Sequence, residues 1–376
     1  MNPRANRPRL FLMATMALGL SIPAFGTVTY TCDASVNATV AGLCNALNTT
    51  VAGFYNNTFT NANATIYIQL ADNGGLGESS GGYLNTVSYS TYRSTLQTES
   101  TDPAKSTLPS TEPTNFTGGS VELTSALKDA MGIGGTTVGT EFDPTGNANS
   151  GWVGAGCTTP GDGAVIASPT ATSCYNGVIT VNTPSALKTE TGNQGLFFPG
   201  LLAGNGTVNY DFFAVVEHET DEILGTTSCI DRSNAGLTQT CGVGTPSVND
   251  LFRYTAPGVR TFDTVGGSQY FSADGGTTDY QGNHFPNALG NGDWADFSSG
   301  CTFVQDSSGC PTATNVNTQF DITTDGPGGT AGPEIAMLNA VGYNLIQSPT
   351  PEPGTLGLLG VSLAAILVGR KRLSQK

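Results

Sequence analysis

Apolar positions along this chain follow two rhythms, separated by long stretches that follow neither. Residues 34–54 (ASVNATVAGLCNALNTTVAGF) place small and apolar side chains at helical spacing, and ATIYIQLA at 64–71 alternates in strand fashion, so a helix followed by a strand is predicted. After the glycine-rich turn at 74–82, LNTVSYSTYRSTL predicts a further strand leading into a short helix. Residues 98–120, with Pro103, Pro109 and Pro113, read as an exposed loop, and VELTSALKDAMG at 121–132 as a helix ended by Gly132. YNGVITVNT at 175–183 alternates as a strand. A helix is predicted from about Tyr210 to Leu224, with Gly225 at the left-handed stop position. Another is predicted over 333–345, opened by Pro333 and Glu334, with Ile335, Met337, Leu338 and Val341 turned inward. Residues 134–173, and the region leading to Asp325, are rich in glycine and nearly free of periodicity. No internal repeat is present.

The ends depart from this pattern. Residues 1–26 hold three arginines, an apolar run from Leu10 to Ile22 and Ala24-Phe25-Gly26 as a small-x-small cleavage site, the order of a secretory signal peptide. At the other end, Pro351-Glu352-Pro353 precedes an apolar segment from Leu356 to Val368 and the basic cluster Arg370, Lys371 and Arg372. That order resembles the PEP-CTERM sorting signal of Gram-negative bacteria. The apolar segment would be a marginal membrane helix with its basic end on the cytoplasmic side. The resemblance implies recognition by an exosortase-type sorting enzyme and delivery to the envelope surface or medium. The expected organisation is a signal peptide at 1–26, a body at 27–347 with lobes of about 27–225 and 226–347, and a sorting segment at 348–376 with its transmembrane helix and basic tail.

Composition narrows the body's partners. Seven of the 14 Lys and Arg residues lie in the two terminal segments, leaving seven against 28 of the 29 acids. A phosphate-binding surface needs clustered cations, so nucleic acid is not an expected partner. The eight cysteines fall in short-range pairs, at 32/44, 157/174, 229/241 and 301/310. In an exported protein this favours four local disulfides among the 105 connectivities that eight cysteines allow.

The candidate chemistry lies in FFAVVEHETDEILG at 212–225. On a helix, residues three and four apart share a face, so His218 and Glu222 can bind one metal ion while Glu219 reaches water on that ion. This resembles the zincin motif HExxH, with a carboxylate in place of the second imidazole. A hydrolytic zinc site commonly has three protein ligands and one position for water. His284, the only other histidine, is the first choice for the third ligand, with Asp231, Asp293 and Asp296 as alternatives. In this scheme Glu219 is the general base and Tyr254 or Tyr343 a candidate oxyanion donor. The pairs Asp274/Asp279, Asp293/Asp296 and Asp321/Asp325 could hold calcium, although none matches an EF-hand or a repeat calcium motif.

DFFAVVEHETDEILG, followed by DLFRYTAPGVRTF, SQYFSADGGTTDY, GDWADF and MLNAVGYNL, resembles a family of bacterial zinc metalloproteases carrying PEP-CTERM tails, over residues 205–346. The resemblance implies a zincin-like α+β fold with a small twisted sheet, an active-site helix and a loop-rich C-terminal lobe. It also implies HExxE as the usual form of the motif, zinc as cofactor, and hydrolysis of protein or peptide substrates. By analogy with zincins, residues 175–183 would be the edge strand that binds extended substrate. The competing class is a noncatalytic envelope or matrix protein on the same scaffold, and the two readings separate on whether a third metal ligand exists. A paired-carboxylate glycosidase is a weaker third reading, since it gives His218 no role.

Overall fold

The computed structural model describes residues 26–81, 85–113, 119–133, 165–166, 174–191, 194–229, 245–262, 269–279, 294–297, 303–306, 311–312 and 332–346. The signal peptide predicted at 1–26, apart from Gly26, and the transmembrane segment predicted near the C-terminus lie outside these residues. Among the described residues no helix is long and apolar enough to cross a membrane.

The chain opens with strand β1 (Thr27–Cys32), followed by a broken helical run: α1 (Ala34–Thr39), α2 (Leu43–Ala46), a π turn over Leu47–Val51, and α3 (Ala52–Thr58). The predicted helix over 34–54 is therefore interrupted, because the chain turns at Gly42 in a left-handed conformation (φ 81°). Strand β2 (Asn63–Leu70) alternates as predicted, burying Ala64, Ile66, Ile68 and Leu70 on one face. A disulfide joins Cys32 to Cys44, stapling the end of β1 to α2. Cys229 is also disulfide-bonded.

Strand β3 (Gly77–Gly81), strand β4 (Asn85–Ser88) and helix α4 (Tyr89–Glu99) come next, the last two as predicted. The predicted loop at 98–120 contains a short 3₁₀ turn at Pro103–Thr107, capped by Asp102. The helix predicted over 121–132 is half strand: β5 (Ser120–Leu123) pairs antiparallel with β4, and only after the Thr124 cap does α5 (Ser125–Ala130) begin. Val121, Glu122 and Leu123 are all buried, and a three-residue buried run has no period that separates strand from helix. A two-strand ladder, β6 (Val165–Ile166) with β7 (Cys174–Tyr175), precedes β8 (Gly177–Val181).

The main sheet has the order β1-β2-β8-β3, with β1, β2 and β8 parallel and β3 antiparallel to β8. The strand predicted at 175–183 is thus present but interior. The edge belongs to β3, which antiparallel pairing folds back along β8.

Helix α6 (Pro184–Thr191) leads to β9 (Gln194–Phe197) and β10 (Val208–Asp211), which pair in parallel; β14 (Pro311–Thr312) lies against the other side of β10. Asp211 ends β10 and caps the next helix, its Oδ1 accepting from Phe213 N at 2.8 Å and Ala214 N at 3.4 Å. That helix, α7 (Phe212–Asp221), begins two residues later than predicted because Tyr210 and Asp211 belong to the sheet. It runs into a π turn over Glu222–Thr226 that stops at Gly225, where φ is 128°.

The remaining elements are a hairpin of β11 (Arg253–Ala256) and β12 (Val259–Arg260), strand β13 (Tyr270–Phe271) against β11, and α8 (Pro333–Val341). The last helix is shorter than predicted because Gly342 (φ 139°) caps it. One buried hydrophobic cluster extends from Val28 to Tyr343 and includes Phe212, Val216, Ile223 and Leu224 of the α7 region. The architecture is a mixed α+β body with several small sheets.

Candidate metal centre

Helix α7 packs on β3 and β8 at two points where the sheet has no side chain. A Cβ on Gly177 would meet Ile223 Cδ1 at 2.5 Å, and one on Gly77 would meet Glu219 Oε1 and Val215 Cγ1, each at 2.7 Å. The helix therefore lies close enough to the edge strand for β3 to touch its polar residues. Ser79 of β3 donates its hydroxyl to Glu222 Oε2 at 2.5 Å, and Glu219 sits beneath Gly77, 6% exposed.

His218 and Glu222 share one edge of the helix as their spacing predicts, with His218 Nε2 3.8 Å from Glu222 Oε1. Asp296, from the segment 294–297, brings Oδ1 to 3.6 Å from the same nitrogen. One donor atom from each of His218, Glu222 and Asp296 lies within 4.8 Å of the other two. Ligands about 2.0–2.2 Å from a tetrahedral zinc ion are themselves about 3.3–3.6 Å apart, so the two distances from His218 Nε2 are close to those across a shared ion.

The imidazole is oriented for that task. Its Nδ1 lies 2.9 Å from the carbonyl oxygen of Val304; as a donor there, it leaves Nε2 a lone pair directed at the two carboxylates. Asp296 Oδ1 accepts from the side-chain amide of Gln305 at 3.0 Å. Each of the three candidate ligands thus has its own partner: Val304 for His218, Ser79 for Glu222 and Gln305 for Asp296.

The electrostatics suit a cation. Burial works to lower the pKa of His218, but the carboxylates of Asp296, Glu219 and Glu222 outweigh it and raise the imidazole to about 10. Burial and then the Glu222 carboxylate push the Glu219 carboxyl well above the ordinary range, with His218 pulling the other way. A dication binding here would displace the imidazole proton and ease the repulsion among the carboxylates.

The first choice for third ligand, His284, and two alternatives, Asp231 and Asp293, lie outside the described residues. Among the described residues, the alternative that joins His218 and Glu222 is Asp296. Tyr343 serves elsewhere: fully buried, it donates its hydroxyl to Leu224 O at 2.9 Å as a strut under the helix end. The hydroxyl of Tyr254 accepts from Arg260 Nη2, and the guanidinium also lies over its ring. The Tyr343 hydroxyl is thus committed to the helix end and the Tyr254 hydroxyl is engaged by Arg260. The carboxylate of Asp274 is taken up by Ser272 and Thr278, which makes it a hydrogen-bonded turn. Asp321 and Asp325 lie outside the described residues.

Ser79, Val304 and Gln305 carried no recognisable signal in the sequence. They belong to a glycine-serine strand and to a non-periodic segment, and only tertiary contact gives them a role.

Residues 349–372 match the PEP-CTERM protein-sorting motif. This motif marks proteins exported and sorted to the cell envelope surface or extracellular space, and it is recognised by an exosortase. No curated protein and no solved structure matches the chain.

Proposed function

We propose that the exported body is a zinc-dependent metallopeptidase of the zincin kind, with His218, Glu222 and Asp296 as the metal-binding residues and Glu219 as the general base. The observation that carries this reading is the convergence of two carboxylate oxygens, from Glu222 and Asp296, on His218 Nε2 while Val304 holds the other ring nitrogen.

Zinc bound there would supply a water of pKa about 7 and polarise a carbonyl. The chain's own residues supply the rest. Glu219, one residue past His218 and three before Glu222 on the same helical run, is placed to take a proton from water and return it to a leaving amine. Edge strand β3 offers an extended peptide a place to add as a further strand, beside Glu219 and Glu222.

The test is elemental analysis of the purified exported protein, together with hydrolysis of a peptide library. One zinc per chain is expected, lost in Glu222→Ala and Asp296→Ala and kept in Glu219→Gln. Glu219→Gln should lose about 10²–10⁴-fold in hydrolysis while still holding metal. Zinc kept in Asp296→Ala but lost in His284→Ala would move the third ligand to His284. A wild-type protein that takes up no zinc when supplied with it would favour the noncatalytic envelope protein instead.

A further inference from the structure

The residue that connects the site to the rest of the molecule is Gln305, which is fully buried and binds through every polar group it has. Its backbone amide donates to Glu334 Oε1 of α8 at 3.0 Å, and its carbonyl accepts from Phe297 N at 2.7 Å. Its side-chain Oε1 accepts from Thr226 Oγ1 at 3.4 Å, at the end of the π turn after α7, and its Nε2 donates to Asp296 Oδ1 at 3.0 Å. The residue before it, Val304, contributes the carbonyl that orients His218. Two adjacent residues therefore set two of the three candidate ligands, one of them from another part of the chain.

The contact with Asp296 restricts how that carboxylate can act. A carboxylate oxygen has two in-plane lone pairs. The Gln305 amide takes up one pair on Oδ1, and the same oxygen lies 3.6 Å from His218 Nε2. Full burial and the Thr226 hydroxyl at 3.4 Å from the far end of the amide resist a turn of Gln305 that would let Asp296 swing both oxygens inward. Calcium takes six to eight oxygens, often from two-oxygen carboxylates, whereas zinc is satisfied by four ligands at shorter range.

We infer that Gln305 is a positioning residue that holds Asp296 as a one-oxygen ligand and so makes the site selective for a small, four-coordinate ion over a larger one. The inference rests on the metal-site reading above.

It is tested on the full-length protein by zinc titration against a chromophoric chelator, with calcium as competitor, and by the visible spectrum of the cobalt-substituted form. Gln305→Met keeps the volume and removes the donor. It is expected to weaken zinc about 10–100-fold, narrow the preference for zinc over calcium, and lower the intensity of the cobalt bands as the coordination number rises. A role confined to stability would lower the unfolding temperature and leave the cobalt spectrum unchanged. If Gln305→Met does not fold, Thr226→Val, which removes the hydroxyl at the far end of the Gln305 amide without adding charge, carries the test with the same expected direction. Zinc affinity within about threefold of wild type and an unchanged cobalt spectrum would overturn the role of Gln305 while leaving the metal site standing. A wild-type protein that binds neither zinc nor cobalt would overturn both.

Discussion

The two sides of helix α7 are both polar, one buried and the other half-buried, and they are built differently. On the side toward the N-terminal unit, Tyr30 pairs its hydroxyl with Thr220 at 2.7 Å, and Tyr55 donates to Asp221 Oδ1 at 2.7 Å. Both tyrosines come from the regular elements between β1 and α3, which the Cys32–Cys44 disulfide braces. On the other side, His218 and Glu222 meet single residues drawn from an edge strand and from two irregular segments. An acid matched to a tyrosine hydroxyl is settled as structure. Acids brought together around one imidazole repel each other unless a cation joins them, and that is the difference between a strut and a candidate site.

The largest expected effect comes from forcing the sheet and helix apart. Gly177→Ala places a methyl group against Ile223, where no rotamer of the alanine avoids it, and should cost about 3 kcal/mol in chemical denaturation. Both sides of α7 should suffer together, with zinc affinity falling alongside stability.

Tyr55→Phe separates the two sides. It leaves a buried carboxyl without its hydroxyl donor and is expected to cost about 2 kcal/mol while leaving zinc affinity unchanged. A loss of zinc affinity as large as that expected for Gln305→Met would show that the distinction between the two sides is false.

The smallest effect tests the N-terminal unit alone. Asp33 caps α1, and the Ser35 backbone amide holds its carboxyl below the ordinary range. Burial works the other way, and the Ser35 and Tyr67 hydroxyls reinforce the lowering. Because the folded pKa lies below the unfolded one, this stabilisation is complete above the unfolded value and is lost as pH falls through the folded value. Asp33→Ala should therefore cost about 1 kcal/mol at neutral pH, with the difference from wild type vanishing in acid, as read from unfolding curves at a series of pH values.

Where a side chain's role follows from its neighbours in sequence, the sequence was enough to read it. The alternation in β2, the shared edge of His218 and Glu222, and the stop at Gly225 are all local. Two kinds of failure remain: the breaks at Gly42 and Gly342 are local glycine conformations that helical spacing overrode, and the others depend on a distant partner. Residues 121–123 became a strand because β4 was there to pair with them, and the edge position passed from β8 to β3 because of how the sheet closes. Asp296 was one aspartate among several in glycine-rich loops. What singles it out is Gln305, nine residues further on, and a histidine 78 residues earlier.

The closing contact of the body also has a consequence for the order of events during export. Phe59 bridges to Leu345, Thr60 N donates to Asn344 O, and Ile346 N donates to Thr58 O, so the last described residues are stitched to the end of the first helical run. A chain that crosses a membrane from its N-terminus presents β1 and α3 long before this partner emerges. Tyr92, buried in the core, likewise waits for the carbonyl of Val341. Residues 341–346 therefore complete the described body just ahead of the sorting motif that begins at 349, which leaves little chain between the folded body and the segment the sorting enzyme reads.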